Sequence, residues 1–264
     1  MLRNITIGQY YPAHSIIHRL DPRTKLFGTV AYITVLFMAR SVWGYVAALV
    51  ALAVVIAVST VPPKYMLRGL RAIFFLIILT AALNIFLFPG ETILFGIGFV
   101  RVSQEGLIHA GQMVFRLVLL ISGSSVLTLT TTPTQFTDAI EFVLKPFEKL
   151  GLPAREFAMM MTITLGQIPS LLGDTDKIMK AQMARGADFD TGGLIKKAKS
   201  MIPLLVPLFV SAFRRADDLA VGMEARCYRE DGKGRTKMRA LKFKLRDLAA
   251  FIMVAIFCVL VMIL

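Results

Sequence analysis

Apolar residues in this chain neither alternate nor keep to one helical face; they run on in long blocks. Nearly unbroken stretches cover residues 26–39, 42–60, 72–88, 114–132 and 248–264. A helix crossing the hydrocarbon core of a bilayer needs roughly 20 such residues, and a soluble core does not supply several of them with basic flanks. Composition agrees: 56% of the 264 residues are hydrophobic, 18% are charged, and the mean hydropathy is +0.68, whereas a soluble domain is about a quarter charged. The expected fold class is an all-α integral membrane protein with about five transmembrane helices plus long amphipathic cytoplasmic helices. Residues 1–11 lack the apolar core of a signal peptide, so the first apolar run is expected to stay in the protein.

The net charge of +13 invites a nucleic-acid reading, but the placement of the charges opposes it. Lys and Arg crowd beside apolar runs, as in cytoplasmic loops, and no aromatic-basic platform for bases is present. Arg3, Arg19, Arg23 and Lys25 precede the first span, and Lys64, Arg68 and Arg71 fill the turn after the second. One base, Arg40, lies near the first turn, and Arg101 is offset by Glu91 and Glu105 in the loop 89–113. This asymmetry predicts a cytoplasmic N-terminus. Five crossings then leave residues 133–247 inside and Leu264 outside. The expected division is therefore 1–132 (N-terminal cytoplasmic segment and transmembrane helices 1–4), 133–247 (long cytoplasmic helices) and 248–264 (C-terminal transmembrane helix).

The inner region holds 20 of the 30 basic residues and 14 of the 17 acidic ones. Thr132-Pro133-Thr134-Gln135 reads as a capping box with Pro at the first helical position, opening a helix to about Lys149 that Gly151-Leu152-Pro153 breaks. From Pro153 to Arg185 the stripe Phe157, Met161, Leu165, Ile168, Leu172, Met179, Met183 keeps one helical face, with a kink expected at Pro169. Gly186 and Gly192-Gly193 end that helix. A second long helix over about 194–227 carries the stripe Leu205, Phe209, Ala212, Ala216, Leu219, Met223. Its apolar middle, 201–213, is too short for a span and is expected to be buried against the membrane domain. A crossing there would also put the basic stretch 233–246 outside.

Catalytic and cofactor motifs are missing. No GxxxxGK[ST] occurs, and Gly232-Lys233-Gly234-Arg235-Thr236 has the wrong order for a phosphate cradle. His14, His18 and His109 offer no metal-ligand spacing, Cys227 and Cys258 form no CxxC pair, and there is no GxSxG elbow. No ionisable residue is expected deep in a span; Arg40 and Arg116 sit where they can snorkel. A carrier usually keeps buried ionisable groups at mid-membrane, which weighs against that reading without removing it. One pattern is present. Met183-Ala184-Arg185-Gly186 ends the first inner helix and Met223-Glu224-Ala225-Arg226-Cys227 ends the second, each with an arginine among small residues. Helix-dipole complementarity alone accounts for an arginine there. A pair of guanidinium forks offered to a partner's surface accounts for it as well.

The N-terminal segment carries Ile7-Gly8-Gln9-Tyr10, Ser15 and His18-Arg19-Leu20-Asp21-Pro22-Arg23-Thr24-Lys25-Leu26. Together with the two Ala-Arg-X tips, it closely resembles the transmembrane T component of energy-coupling-factor (ECF) transporters, over nearly the whole chain. The resemblance implies a non-catalytic energy-coupling subunit of an ATP-driven importer in the cell membrane, for vitamins or other micronutrients, with no cofactor. Its implied partners are two ABC-type ATPase subunits and a small substrate-binding membrane subunit (the S component), in a lipid bilayer and without nucleic acid. Ala184, Arg185, Gly186, Ala225, Arg226 and Cys227 would be the ATPase contacts, Cys227 standing where many relatives have Gly or Ser. The signature also reads structurally, with Asp21 as an N-cap and Pro22 in the first turn. Met159, Met160, Met161 and the stripe methionines suit a core, or a face that repacks against exchanging partners. The rival classes are a stand-alone secondary carrier or channel and, weaker, a membrane enzyme.

Overall fold

A computed structural model describes residues 10–39, 41–87, 93–97, 100–187, 189, 193–228, 241 and 243–263. Residues 1–9, with Ile7-Gly8-Gln9 of the signature, and Arg40, Glu91, Gly192 and the Gly232–Thr236 stretch lie outside the described residues. The chain divides into two compact units, Gly8–Ala139 with Ala240–Leu264, and Met1–Ile7 with Ile140–Arg239.

The first unit is a bundle of five long helices. α1 (Pro22–Met38) starts where Asp21 caps it and Pro22 takes the first position, the place where a missing N–H costs nothing. α2 (Val42–Ser59) is capped by Ser41, whose hydroxyl accepts from Trp43 N–H, and closes on Thr60 in the left-handed region. α3 (Pro63–Leu87) is bent by 59° between Pro63–Arg71 and Ile73–Ile85. A two-stranded antiparallel hairpin, β1 (Ile93–Ile97) with β2 (Val100–Ser103), leads into α4 (Gln104–Thr130). α8 (Leu245–Ile263) completes the unit. By length and composition α2, α4 and α8 can cross a membrane, and the bent α3 adds a fourth where its two halves count as one span. α1, with 17 residues, sits at the lower limit of roughly 17 for a span.

The hairpin and the early start of α4 correct the sequence reading, which expects a plain loop to residue 113. Gln104, Glu105, His109 and Gln112 break the apolar run, so hydropathy cannot see that the helix has already begun. The turn 61–71 is likewise mostly the first turns of α3.

Small residues set the packing. Gly123 on α4 faces Tyr32 of α1 so closely that a Cβ would lie 2.4 Å from the ring, and the tyrosine hydroxyl donates to the Leu119 carbonyl at 3.3 Å. Around this approach Val35, Leu36, Ala39, Tyr45, Ala48, Leu52, Leu119 and Val261 form the core. Outside it the unit is turned inside out: Phe75 is 77% exposed and Trp43 69%. Apolar surface on that scale belongs in lipid or against a partner. Fold and surface together define an all-α integral membrane protein.

The second unit is built on two 31-residue helices, α6 (Ala154–Ala184) and α7 (Leu194–Glu224). The chain reaches them through α5 (Pro133–Leu144) and a 3-10 turn over Lys145–Leu150. The capping box is formed as expected. Thr132 N–H donates to Gln135 Oε1 at 3.2 Å, and Gln135 N–H donates to Thr132 Oγ1 at 3.3 Å. Gly151, at φ 88°, turns the chain into α6. Pro169 lies inside α6 and Pro203 and Pro207 inside α7, each helix continuing through them. Along the apolar middle of α7, Met201, Ile202, Leu205, Val206, Phe209, Val210 and Phe213 are exposed, while Leu204 is buried.

Candidate functional site

The two tips predicted to carry arginines end their helices by the same hydrogen-bond pattern. In α6, Gly186 N–H donates to Met183 C=O and Ala187 N–H to Gln182 C=O, both at 3.0 Å. In α7, Cys227 N–H donates to Glu224 C=O at 2.9 Å and Tyr228 N–H to Met223 C=O at 3.0 Å. These paired bonds close carbonyls that a helix end leaves open, and they require a left-handed residue. Gly186 has φ 88° and Cys227 φ 55°. The match is residue for residue: Gly186 corresponds to Cys227, Arg185 to Arg226 and Ala184 to Ala225. Glycine takes that conformation freely, whereas cysteine takes it against its Cβ. The departure at Cys227 therefore falls at the position with the strictest backbone demand.

All six residues, Ala184, Arg185, Gly186, Ala225, Arg226 and Cys227, are exposed. Neither Arg185 nor Arg226 has a side-chain hydrogen bond or ion pair among the described residues. Toward the described residues each arginine thus keeps its planar fork of donors open, flanked by residues too small to screen it. Chemically such a tip can grip a carboxylate or a pair of carbonyls through two parallel N–H bonds. Among the described residues no cluster of His, Cys, Asp or Glu could hold a metal ion.

The N-terminal signature is spent quite differently. Asp21 Oδ1 accepts from Arg23 N–H at 3.0 Å, while Asp21 N–H donates to Asp247 Oδ1 at 2.8 Å. Asp247 Oδ2 accepts from Lys244 N–H at 2.9 Å, so one carboxylate serves the starts of both α1 and α8. Lys25 is buried, its ammonium donating to the carbonyls of His18 (3.2 Å) and Thr130 (2.9 Å), the last residue of α4. Sequence reading treats Lys25 as a free cytoplasmic charge; the fold makes it a rivet across α1 and α4. His18 is buried, its Nε2 donating to Tyr11 C=O at 3.0 Å, which leaves Nδ1 to accept from the Ser15 hydroxyl at 2.7 Å. Burial holds this imidazole below its ordinary pKa, and the Tyr11 carbonyl opposes that shift.

Two further interactions escaped the sequence. Arg116 does not merely snorkel: its Nε donates to the Tyr45 hydroxyl at 3.0 Å and its Nη2 to Ala39 C=O at 3.2 Å. This ties α4 to the turn between α1 and α2. In the second unit Arg215 of α7 reaches three acceptors on α6. It pairs with Asp174 at 2.6 Å, donates to Gln167 at 3.1 Å, and meets the Ser170 hydroxyl. Residues 41 to 48 positions apart give no local signal of such a contact.

The fold defines the class, an all-α integral membrane protein, and similarity to known proteins makes that specific. Residues 13–238 match the family model CbiQ, described as cobalt transport protein. The chain is 53% identical over 251 residues to the energy-coupling factor transporter transmembrane protein EcfT of Thermosediminibacter oceani, covering 95% of this chain and 94% of that one. It is 54% identical over 251 residues to EcfT of Clostridium kluyveri, covering 95% and 93%, and 48% identical over 261 residues to EcfT of Acidaminococcus fermentans, covering 98% and 97%. The chain belongs to the EcfT family, the energy-coupling transmembrane subunits of ECF transporters.

Proposed function

We propose that this subunit links two ABC-type ATPases to a separate small substrate-binding membrane subunit, and so drives uptake of a vitamin or other micronutrient without catalysing any reaction itself. The carrying observation is the pair of tips: two exposed arginines, with no side-chain partner among the described residues, each followed by the same left-handed closure at the end of a 31-residue helix. Duplicated geometry suits a duplicated partner, and two ATPase subunits would offer two equivalent acidic or carbonyl-lined clefts. Ala184, Arg185 and Gly186 would occupy one, Ala225, Arg226 and Cys227 the other. The exposed apolar face of α7 supports a further protein or lipid contact.

In this reading the N-terminus and residues 133–247 face the cytoplasm, and the span at 248–264 returns to the outer face. A cysteine at Ser200 should be labelled by a membrane-impermeant reagent only in opened vesicles, and one at Ser103 from outside; labelling of Ser200Cys in intact cells overturns the orientation. Copurification tests the function. The tagged chain should bring nucleotide-binding proteins with it, and alone it should neither bind nor hydrolyse ATP. Transport by the purified chain alone in vesicles would identify a stand-alone carrier instead.

A further inference from the structure

Arg215 is a directional contact between α6 and α7. The apolar faces of these helices are half-open, and hydrophobic contact is in any case non-directional, so it cannot by itself set how one helix is rotated or slid against the other. A guanidinium aimed at Asp174, Gln167 and Ser170 can, and the pair is two-thirds or more shielded, with side chains 30% and 21% exposed. Its position is symmetric with respect to the tips. Asp174 precedes Arg185 by eleven residues, and Arg215 precedes Arg226 by eleven. Eleven residues are close to three full turns, so each clamp residue lies on nearly the same helix face as its tip arginine, roughly 16 Å along the axis.

We propose that Arg215 is a positioning residue: its clamp on Gln167, Ser170 and Asp174 fixes the spacing and orientation of the Arg185 and Arg226 tips. The consequence for transport rests on the ATPase-coupling reading above; the consequence for tip spacing does not. If two ATPases must be engaged together, the separation of two forks matters as much as the forks do. A clamp at equal lever arms holds that separation without touching either partner.

The test uses the purified full chain, spin-labelled at Cys227 and at Ala187→Cys, with Cys258→Ser, and reads the distance between the labels. The parent should give one narrow distribution. Arg215→Gln should shift or broaden it, Arg215→Lys should do so less, and the exchange of Asp174→Arg with Arg215→Asp should recover much of the narrow form. An unchanged distribution in a folded Arg215→Gln protein overturns the proposal. Should the single variants fail to fold, the exchange variant decides: a folded exchange with a distribution as broad as an unclamped pair overturns it too. A second arm captures the ATPases and measures substrate imported per ATP hydrolysed. Arg215→Gln should lose import per ATP more than it loses captured ATPase. Arg185→Glu with Arg226→Glu should lose the ATPases while keeping the parent distribution. Retention of the ATPases by that double variant removes the coupling reading and leaves the clamp standing.

Discussion

The two arginine tips and the N-terminal signature both concentrate charge at helix ends, yet they treat it in opposite ways. At the signature the buried charges are consumed internally: Asp21, Lys25 and their partner Asp247 are buried, and each has its hydrogen bonds within the bundle. At the tips Arg185 and Arg226 are exposed and have no side-chain partner among the described residues. A buried charge left unpaired is costly, so a polar group in the signature must serve the fold. An exposed arginine contributes little to folding and is available to something else. The conspicuous motif at the start of the chain is thus a structural rivet, and the modest Ala-Arg-X repeat is the place to look for a partner. Substitutions should separate the two: signature variants should alter stability and leave partner affinity alone, and tip variants the reverse.

The largest effect is expected at the tips. Removing one partner of a desolvated, hydrogen-bonded charge pair costs about 2–5 kcal/mol, and about 1.4 kcal/mol is a factor of ten in affinity. Arg185→Glu or Arg226→Glu should therefore weaken ATPase capture at least tenfold or uncouple ATP hydrolysis from uptake. The double variant should lose assembly. Lysine should rescue only in part, since it keeps the charge but not the planar fork. Thermal stability should barely move, because the fold loses only a helix-dipole contribution of roughly 0.3–1 kcal/mol. A double variant that assembles and transports like the parent would reduce the tips to helix caps and erase the contrast.

Next comes the rivet. Asp247→Ala strips the acceptor from Asp21 N–H and Lys244 N–H, and Lys25→Met strips the donor from two carbonyls. Each orphaned buried group costs about 1–3 kcal/mol, so either variant should lower the unfolding midpoint in detergent by several degrees. The surviving folded fraction should capture ATPases with parental affinity. Loss of affinity at parental stability would show that the signature reaches the partner after all.

How much of this was legible beforehand follows the same division. Local chemistry could be read: the Thr132–Gln135 capping box, the Asp21 cap, and the ends of α6 and α7 all lie where short-range patterns put them. Both tips were visible as residue types. What the sequence hid is long-range or conformational. Asp21 and Asp247 are 226 positions apart; no spacing rule connects them, nor Arg215 with Asp174. The left-handed state of Cys227 was hidden because cysteine is not a turn-former. The start of α4 was hidden because its first turns are too polar to read as a span.

That backbone state sharpens the comparison between the tips themselves. Gly186→Ala should destabilise the end of α6 by about 1 kcal/mol, because an added Cβ meets no neighbour and only the left-handed conformation opposes it. Cys227→Gly should relieve strain of the same order, partly offset by glycine's greater freedom in the unfolded chain. Hydrogen exchange at the amides of 186–187 and 227–228 should report both changes, faster in the first variant and equal or slower in the second. Slower exchange in Gly186→Ala would mean the tip does not need its left-handed closure.

The smallest effect belongs to His18, the titrating member of the rivet. Burial lowers its pKa from the ordinary 6.5, so the neutral ring is favoured in the folded state. A depressed group of this kind adds stability that is fully present above the unfolded pKa and is lost as pH falls through the folded one. The unfolding midpoint should accordingly decline as pH falls below about 6.5. The decline should be modest, for two reasons visible in the geometry. Nε2 keeps its donation to Tyr11 in either charge state, and the Ser15 hydroxyl can turn to accept from a protonated Nδ1. Only desolvation and the positive charge of nearby Lys25 and His14 then oppose protonation. His18→Asn, which keeps polar groups near both partners without a proton to gain, should flatten the acid limb while lowering the plateau. An acid limb unchanged in that variant would assign the pH dependence to other groups. A parent midpoint that rises on acidification would reverse the sign of the argument altogether.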